Sequence, residues 1–173
     1  MGYTTDFEGS FTLDRQLEAG HQNYLTQFAN TRRMQRDANR TEERPDPVRA
    51  NVGLPVGTEG AYFVGEEGFG GQDHGADVTD HNHAPTGQPG LWCQWTPTED
   101  GMAIAWDGGE KFYEYEAWLA YLIDNFLEPW GYKLTGKVTW QGEESGDCGT
   151  IYVQDNQIQA LADVVSSPEP DWN

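Results

Sequence analysis

The stretch from Leu91 to Trp106 leaves this chain the fewest choices. Two aromatic-rich runs, residues 91–96 and 102–106, flank Pro97-Thr98-Glu99-Asp100-Gly101. Apolar runs on either side of a short turn segment ending in glycine close into a β-hairpin, because each run satisfies the other's backbone and the glycine accepts the turn conformation. The same pattern recurs along the chain, and no βαβ alternation repeats. That steers the fold toward an antiparallel sheet.

Phe7, Gly9, Phe11 and Leu13 alternate with Glu8, Ser10 and Thr12, which predicts a half-buried first strand. Asp14 is placed to cap the first helix. Leu17, Tyr24, Leu25, Phe28 and Met34 predict that helix over about 17–36, with Gly20 its weak point and Arg44-Pro45-Asp46-Pro47 beyond its end. Residues 41–60 and 65–90 read as irregular, with Ala61-Tyr62-Phe63-Val64 a short strand between them. Tyr115, Trp118, Leu119, Leu122, Ile123 and Phe126 recur at helical spacing and predict a helix over 111–127, stopped by Pro129 and Gly131. Tyr132-Lys133-Leu134 and Val138-Thr139-Trp140 then alternate as a strand with a bulge at Gly136. Residues 143–147 turn the chain into a last strand from Thr150, reaching toward Ile158.

The expected fold is therefore α+β: a mainly antiparallel sheet of five to six strands, two helices packed on one face, in the order β-α-β-β-β-α-β-β. A length of 173 residues suits one domain over 1–165. Residues 166–173 read as an acidic tail too polar to bury, and are expected to be disordered.

Charge is the strongest compositional signal. The formal net charge is −19, and it is unevenly spread. All seven Arg lie in residues 1–50 against eight acids, while residues 51–173 hold three Lys against 21 acids. So acidic a segment repels phosphate, and direct binding of nucleic acid is not expected. It attracts basic protein surfaces. Salt adaptation is the competing explanation of the same charge. No apolar run is long enough to span a bilayer, and the first residues lack the basic and apolar regions of a signal peptide, so no membrane association and a cytoplasmic setting are expected. Cys93 and Cys148 have neither CxxC nor zinc-site spacing. The apolar fraction is a modest 36%, offset by seven Trp, eight Tyr and seven Phe, so the core should be aromatic.

Candidate chemistry is sparse. Residues 73–83 hold three Asp and three His, and Asp77, His81 and His83 are the candidate ligands for a divalent metal. A polar loop with incidental histidines explains the same residues. The Gly-rich run 65–71 lacks the Lys-Ser/Thr ending of a phosphate loop and carries two Glu that would repel one. Arg32, Arg36 and Arg40 lie four apart, so a continued helix would align them. Internal pairing with the many acids is favoured over capture of a phosphate. Trp92, Trp95, Trp106, Trp130 and Trp140 could stack a sugar or a base, though aromatics at strand spacing more often pack the core. Asp107 and Glu110 sit where an acid–base pair or a helix cap would sit, and the cap is favoured. No nucleophile elbow, HExxH or Walker pattern is present, so no catalytic residue and no cofactor is assigned, and the reading leans away from an enzyme.

Several stretches bear a resemblance. Thr31-Arg32-Arg33-Met34, Val52-Gly53-Leu54-Pro55-Val56-Gly57, residues 88–95, residues 106–113, Pro129-Trp130-Gly131-Tyr132 and Trp140-Gln141-Gly142-Glu143 resemble a family of small acidic bacterial and phage proteins of no established activity. The resemblance spans the chain to about residue 158. It implies a prokaryotic or phage setting and an inhibitory or accessory role.

These observations favour a non-enzymatic acidic domain that binds a basic protein partner, such as a phage-associated inhibitor imitating nucleic acid. Glu110, Glu114, Glu116, Asp124, Glu128, Glu143, Glu144 and Asp147 are its expected contact residues. Glu110 with Glu114, and Asp124 with Glu128, are four apart, a rise of about 6 Å on a helix, close to the spacing of phosphates along a strand. The alternative is a small-molecule-binding protein or metal-dependent enzyme with its site in loops 65–90, beside Trp92 and Trp106. The sequence leaves the oligomeric state open.

Overall fold

A computed structural model describes residues 2–65, 72 and 75–163. Phe7, Phe11 and Leu13 point to one side of the first strand, β1 (Asp6–Leu13), and all three are buried, so β1 lies inside a sheet and not at its margin. It pairs antiparallel with β5 (Ala103–Trp106) on one flank and, along its whole length, with β6 (Leu134–Gln141) on the other. Outward from these lie β4 (Trp95–Pro97) on one side, and β7 (Cys148–Gln154) and β8 (Gln157–Ala162) on the other. The order is β4-β5-β1-β6-β7-β8, with every neighbour antiparallel. The expected α+β class and six-stranded antiparallel sheet are thus present. The expected hairpin is β4 with β5, its paired portion shorter than 91–106.

One face of the sheet is buried. Phe7, Phe11, Leu134, Val138, Ile151 and Val153 share a core with Tyr24, Leu25 and Phe28 of α1 (Ala19–Ala29) and with Trp118, Leu119 and Leu122 of α4 (Tyr115–Leu122). This core is aromatic: Phe7 meets Trp95, Phe112 and Tyr115 edge-on, and Phe28 meets Trp118 and Phe126. Edge-to-face contact is what the ring quadrupoles favour. The opposite positions, Glu8, Ser10, Thr12, Thr135, Lys137, Thr139, Tyr152 and Gln154, are exposed.

The structure corrects several local expectations. The first helix ends at Ala29, not near Arg36. Thr31 Oγ1 donates back to the Gln27 carbonyl, and the Arg33 N–H reaches across to the Leu91 carbonyl, so the chain has left the helix by then. Arg36 instead lies in β2 (Gln35–Arg36), paired with β3 (Val78–Asp80). Two four-residue turns of helix come next: α2 (Ala38–Thr41), capped by Asp37, and α3 (Pro47–Ala50), capped by Asp46 with proline at its start. Residues 61–64 form no strand. The second helix begins at Tyr115, not Lys111, and continues into a π turn over Ile123–Leu127.

Gly136 forms no bulge. Its register against Phe11 and Val153 is unbroken, and a Cβ there would come 2.9 Å from the Ser10 carbonyl oxygen. The glycine is needed for close strand approach. A further strand, β8, comes after β7 through Asp155 and Asn156, both with positive φ, as a two-residue hairpin turn requires. Among the described residues no helix is long and apolar enough to cross a membrane.

Candidate functional site

The antiparallel register decides where the acids go. Asp6 pairs with Gln141, and Gln141 with Cys148, so the start of β1, the 142–147 turn and the start of β7 meet at one end of the sheet. β8 ends there as well, with the Asp163 N–H donating to the Cys148 carbonyl. The segment before β1 ties the turn down. Tyr3 Oη donates to Asp147 Oδ2 at 2.7 Å and accepts from the Glu144 N–H, while the Thr4 N–H donates to Glu143 Oε2 at 2.6 Å. Tyr115, at the start of α4, packs its ring 6.0 Å from that of Trp140, which brings Glu114 and Glu116 to the same end. Glu110 joins through the 107–114 loop, where Tyr113 Oη accepts from the Tyr3 N–H.

Six of the eight sequence-predicted contact acids therefore gather at one pole: Glu110, Glu114, Glu116, Glu143, Glu144 and Asp147. Asp6, Glu8 and Asp163, which sequence reasoning passed over, line a shallow cavity of about 540 Å³ beside them. Only the strand register could have revealed these three. Asp124 and Glu128 do not belong to the group. They lie at the far end of the second helix, where Glu128 accepts a bond from Asn156 in the β7–β8 turn. Nor do Glu110 and Glu114 form a helical pair, because Glu114 has a left-handed φ of 56° just before the helix starts.

Lys111 shares the 107–114 loop with Glu110 and Glu114, one cation against the six acids of the pole. Among the described residues the ion pairs of arginine are Arg15–Glu18, Arg36–Asp77, Arg44–Asp77 and Arg49–Asp46, and none touches a polar-end acid. Internal pairing thus holds for Arg36. Asp77 is almost fully buried and receives Arg36 Nη1 at 3.0 Å, Arg44 Nη1 at 2.9 Å and Thr41 Oγ1 at 2.9 Å. Both guanidinium groups also lie over the Phe63 ring. Burial pushes the Asp77 carboxyl up, but the Thr41 and Arg36 bonds and the two positive charges outweigh it and hold it below the usual range. Asp46 goes the other way: burial raises it despite bonds from the Val64 and Arg49 N–H groups and from the Arg49 side chain. Arg32 donates to the His81 carbonyl and Arg40 to the Ala76 carbonyl, so the three aligned arginines form no stripe.

The proposed metal set does not assemble. Asp77 points inward to its arginines, whereas His81 and His83 are exposed, and His83 Nδ1 turns back onto Asp80 at 2.8 Å. Among the described residues no group of three His, Cys, Asp or Glu could hold a metal ion. Asp73 and His74 lie outside the described residues, as do residues 66–71 of the Gly-rich run. The tryptophans make no common platform: Trp95 and Trp140 are core, and Trp130 stacks on His21 at 3.9 Å. Asp107 caps no helix. Its Oδ1 accepts from the Gly109 N–H, well ahead of α4. Both cysteines are free, and burial pushes the Cys93 thiol up to about 12.

An apolar-walled cavity of about 590 Å³ lies beside the pole, between residues 89–94 and 110–113. Trp92 is in its wall, and Trp106 donates to Gln94 behind it. The cavity thus adjoins, without filling, the loop region in which sequence reasoning set its alternative site. Comparison with family models, with curated proteins and with solved structures finds no match. The resemblance to small bacterial and phage proteins gains no support from these comparisons.

Proposed function

We propose that the chain is a non-enzymatic protein-binding domain whose acidic pole docks on a basic partner. The observation that supports this reading is the gathering of Glu110, Glu114, Glu116, Glu143, Glu144 and Asp147 at one end of the sheet, with the arginine ion pairs among the described residues all directed elsewhere. Uncancelled charge at one place steers association and fixes orientation. A surface built to hold nucleic acid offers the matching density of cations, so a nucleic-acid-binding protein is the proposed partner, met in the cytoplasm of a bacterial or phage-infected cell. The imitation rests on overall charge and not on a helical ladder of acids.

The test is competition. A complex between the chain and a basic DNA-binding protein of its host should exclude duplex DNA and should weaken as salt is raised from about 0.05 M to about 0.3 M. Replacing Glu114, Glu116, Glu143 and Glu144 together by Gln should weaken it at least tenfold. Asp124→Asn with Glu128→Gln, at the far end, should leave it within about twofold, because exposed charges farther apart than a Debye length of roughly 10 Å interact little. Equal losses from both variants would reduce the effect to bulk charge and sink the docking face.

A further inference from the structure

Arg32 and Lys111 are two of only ten cations in a chain of net charge −19, yet both line the same apolar-walled cavity. Neither is used up. Arg32 spends its Nε on the His81 carbonyl at 2.9 Å, and its two terminal nitrogens have no partner among the described residues. Lys111 makes no ion pair there either. The walls are the faces of Pro89, Leu91, Trp92 and Tyr113, and Tyr113 is half exposed at 50%. The volume, about 590 Å³, falls in the range of small-molecule sites, roughly 300–1,000 Å³.

The cavity is also built, and at a cost. Gln94, itself buried, donates to the Glu110 carbonyl at 2.8 Å and accepts from Trp106 Nε1, which bolts the 107–110 loop to the lead-in of β4. Lys111 and Glu114 both have left-handed φ, 58° and 56°, within four residues. Such a backbone is strained for a residue with a side chain and persists only where its surroundings over-determine it. Phe112 between them is buried against Phe7 and Trp95, which fixes the loop and leaves Lys111 and Tyr113 on the cavity. Behind Gly90, in the same wall, Trp118 Nε1 is buried without an acceptor among the described residues, and a methyl on Gly90 would lie 3.7 Å from it. A donor left unmet inside a protein invites an acceptor.

We propose that this cavity binds a flat aromatic carboxylate carrying one negative charge. The ring lies against Trp92 and Tyr113, and the carboxylate meets Arg32 and Lys111. Glu110 also lines the cavity, and its negative charge disfavours a second one on the ligand and so selects against phosphate. The site is separate from the docking pole in its chemistry and in the residues that test it.

Calorimetric titration of the full chain with indole-3-acetate should give saturable binding that quenches tryptophan fluorescence. The uncharged indole-3-acetamide should bind at least tenfold more weakly, as should adenosine monophosphate. Arg32→Gln should lose about tenfold or more, the scale of one charge-assisted hydrogen bond. Lys111→Gly is the decisive variant, since glycine relieves the left-handed backbone and the protein should melt no lower, yet binding should fall by a similar factor. Glu143→Gln with Glu144→Gln should leave it unchanged. The proposal is overturned if acid and amide bind alike, if the phosphate binds more tightly, if no binding is seen at millimolar probe, or if Lys111→Gly binds as the parent does.

Discussion

Asp77 shows how far a residue's role depends on partners remote in sequence. Among three histidines and two other aspartates it has the look of a metal ligand, but Arg36, Thr41 and Arg44, more than thirty residues earlier, claim both its oxygens. Asp77 gathers Arg36, Arg44 and Thr41 on one buried carboxylate, and breaking a buried pair is costly, so Asp77→Asn should destabilise the fold by about 3 kcal/mol, read from urea denaturation. The pH dependence comes from the direction of the shift. A carboxyl held below 3.8 in the folded state gives stability that is full above that value and is lost as pH falls through the lowered one. The gap between parent and variant should therefore be flat at neutral pH and close in strong acid; a gap widening with acid would contradict the pairing. Cys93 makes a second test. With its thiol buried and pushed up to about 12, it should resist iodoacetamide in the native protein and react only on unfolding.

At the scale of elements, what was legible in the sequence was what local pattern controls. Alternation in 7–13 marked β1, and the spacing of Trp118, Leu119, Leu122 and Phe126 marked the second helix. The misreadings share a cause, which is contact at a distance. Met34 continues the helical spacing of α1, but Arg33 and Arg36 are drawn out by Leu91, Ala61 and Asp77. Gly136 reads as a bulge until β1 is laid beside it. The Asp155-Asn156 pair supplies the two positive-φ residues of a hairpin turn without the glycine that usually marks one. Gly136→Ala should cost about 2 kcal/mol, since its Cβ would meet Ser10 and Phe11 backbone at 2.9 and 3.0 Å in a conformation with φ of 154°. A variant as stable as the parent in denaturant would mean that the two strands can part without penalty.

For the molecule as a whole, charge was legible as a total but not as a map. Composition showed that residues 51–173 are acidic, while the pole exists because strand order brings Asp6, Glu143 and Asp163 together from opposite ends of the chain. A net −19, with Arg36, Arg44 and Arg49 drawn to Asp77 and Asp46, repels itself. Raising salt from about 0.01 to about 0.5 M should therefore raise Tm by several degrees. A fall would mean that attractive pairs dominate after all. The same measurement without any partner separates salt adaptation, which requires unfolding at low ionic strength, from docking, which does not.

β8 has one neighbour among the described residues and carries no proline and no lysine across Gln157–Ala162, with Leu161 48% exposed. Such a border can accrete, one molecule zipping onto the next, because its outward N–H and C=O groups have no strand partner among the described residues. The carboxylates of Asp155 and Asp163 at its two ends are the sentries. Raised ionic strength screens them, and ribbon growth, not unfolding, becomes the hazard to watch for during purification and storage.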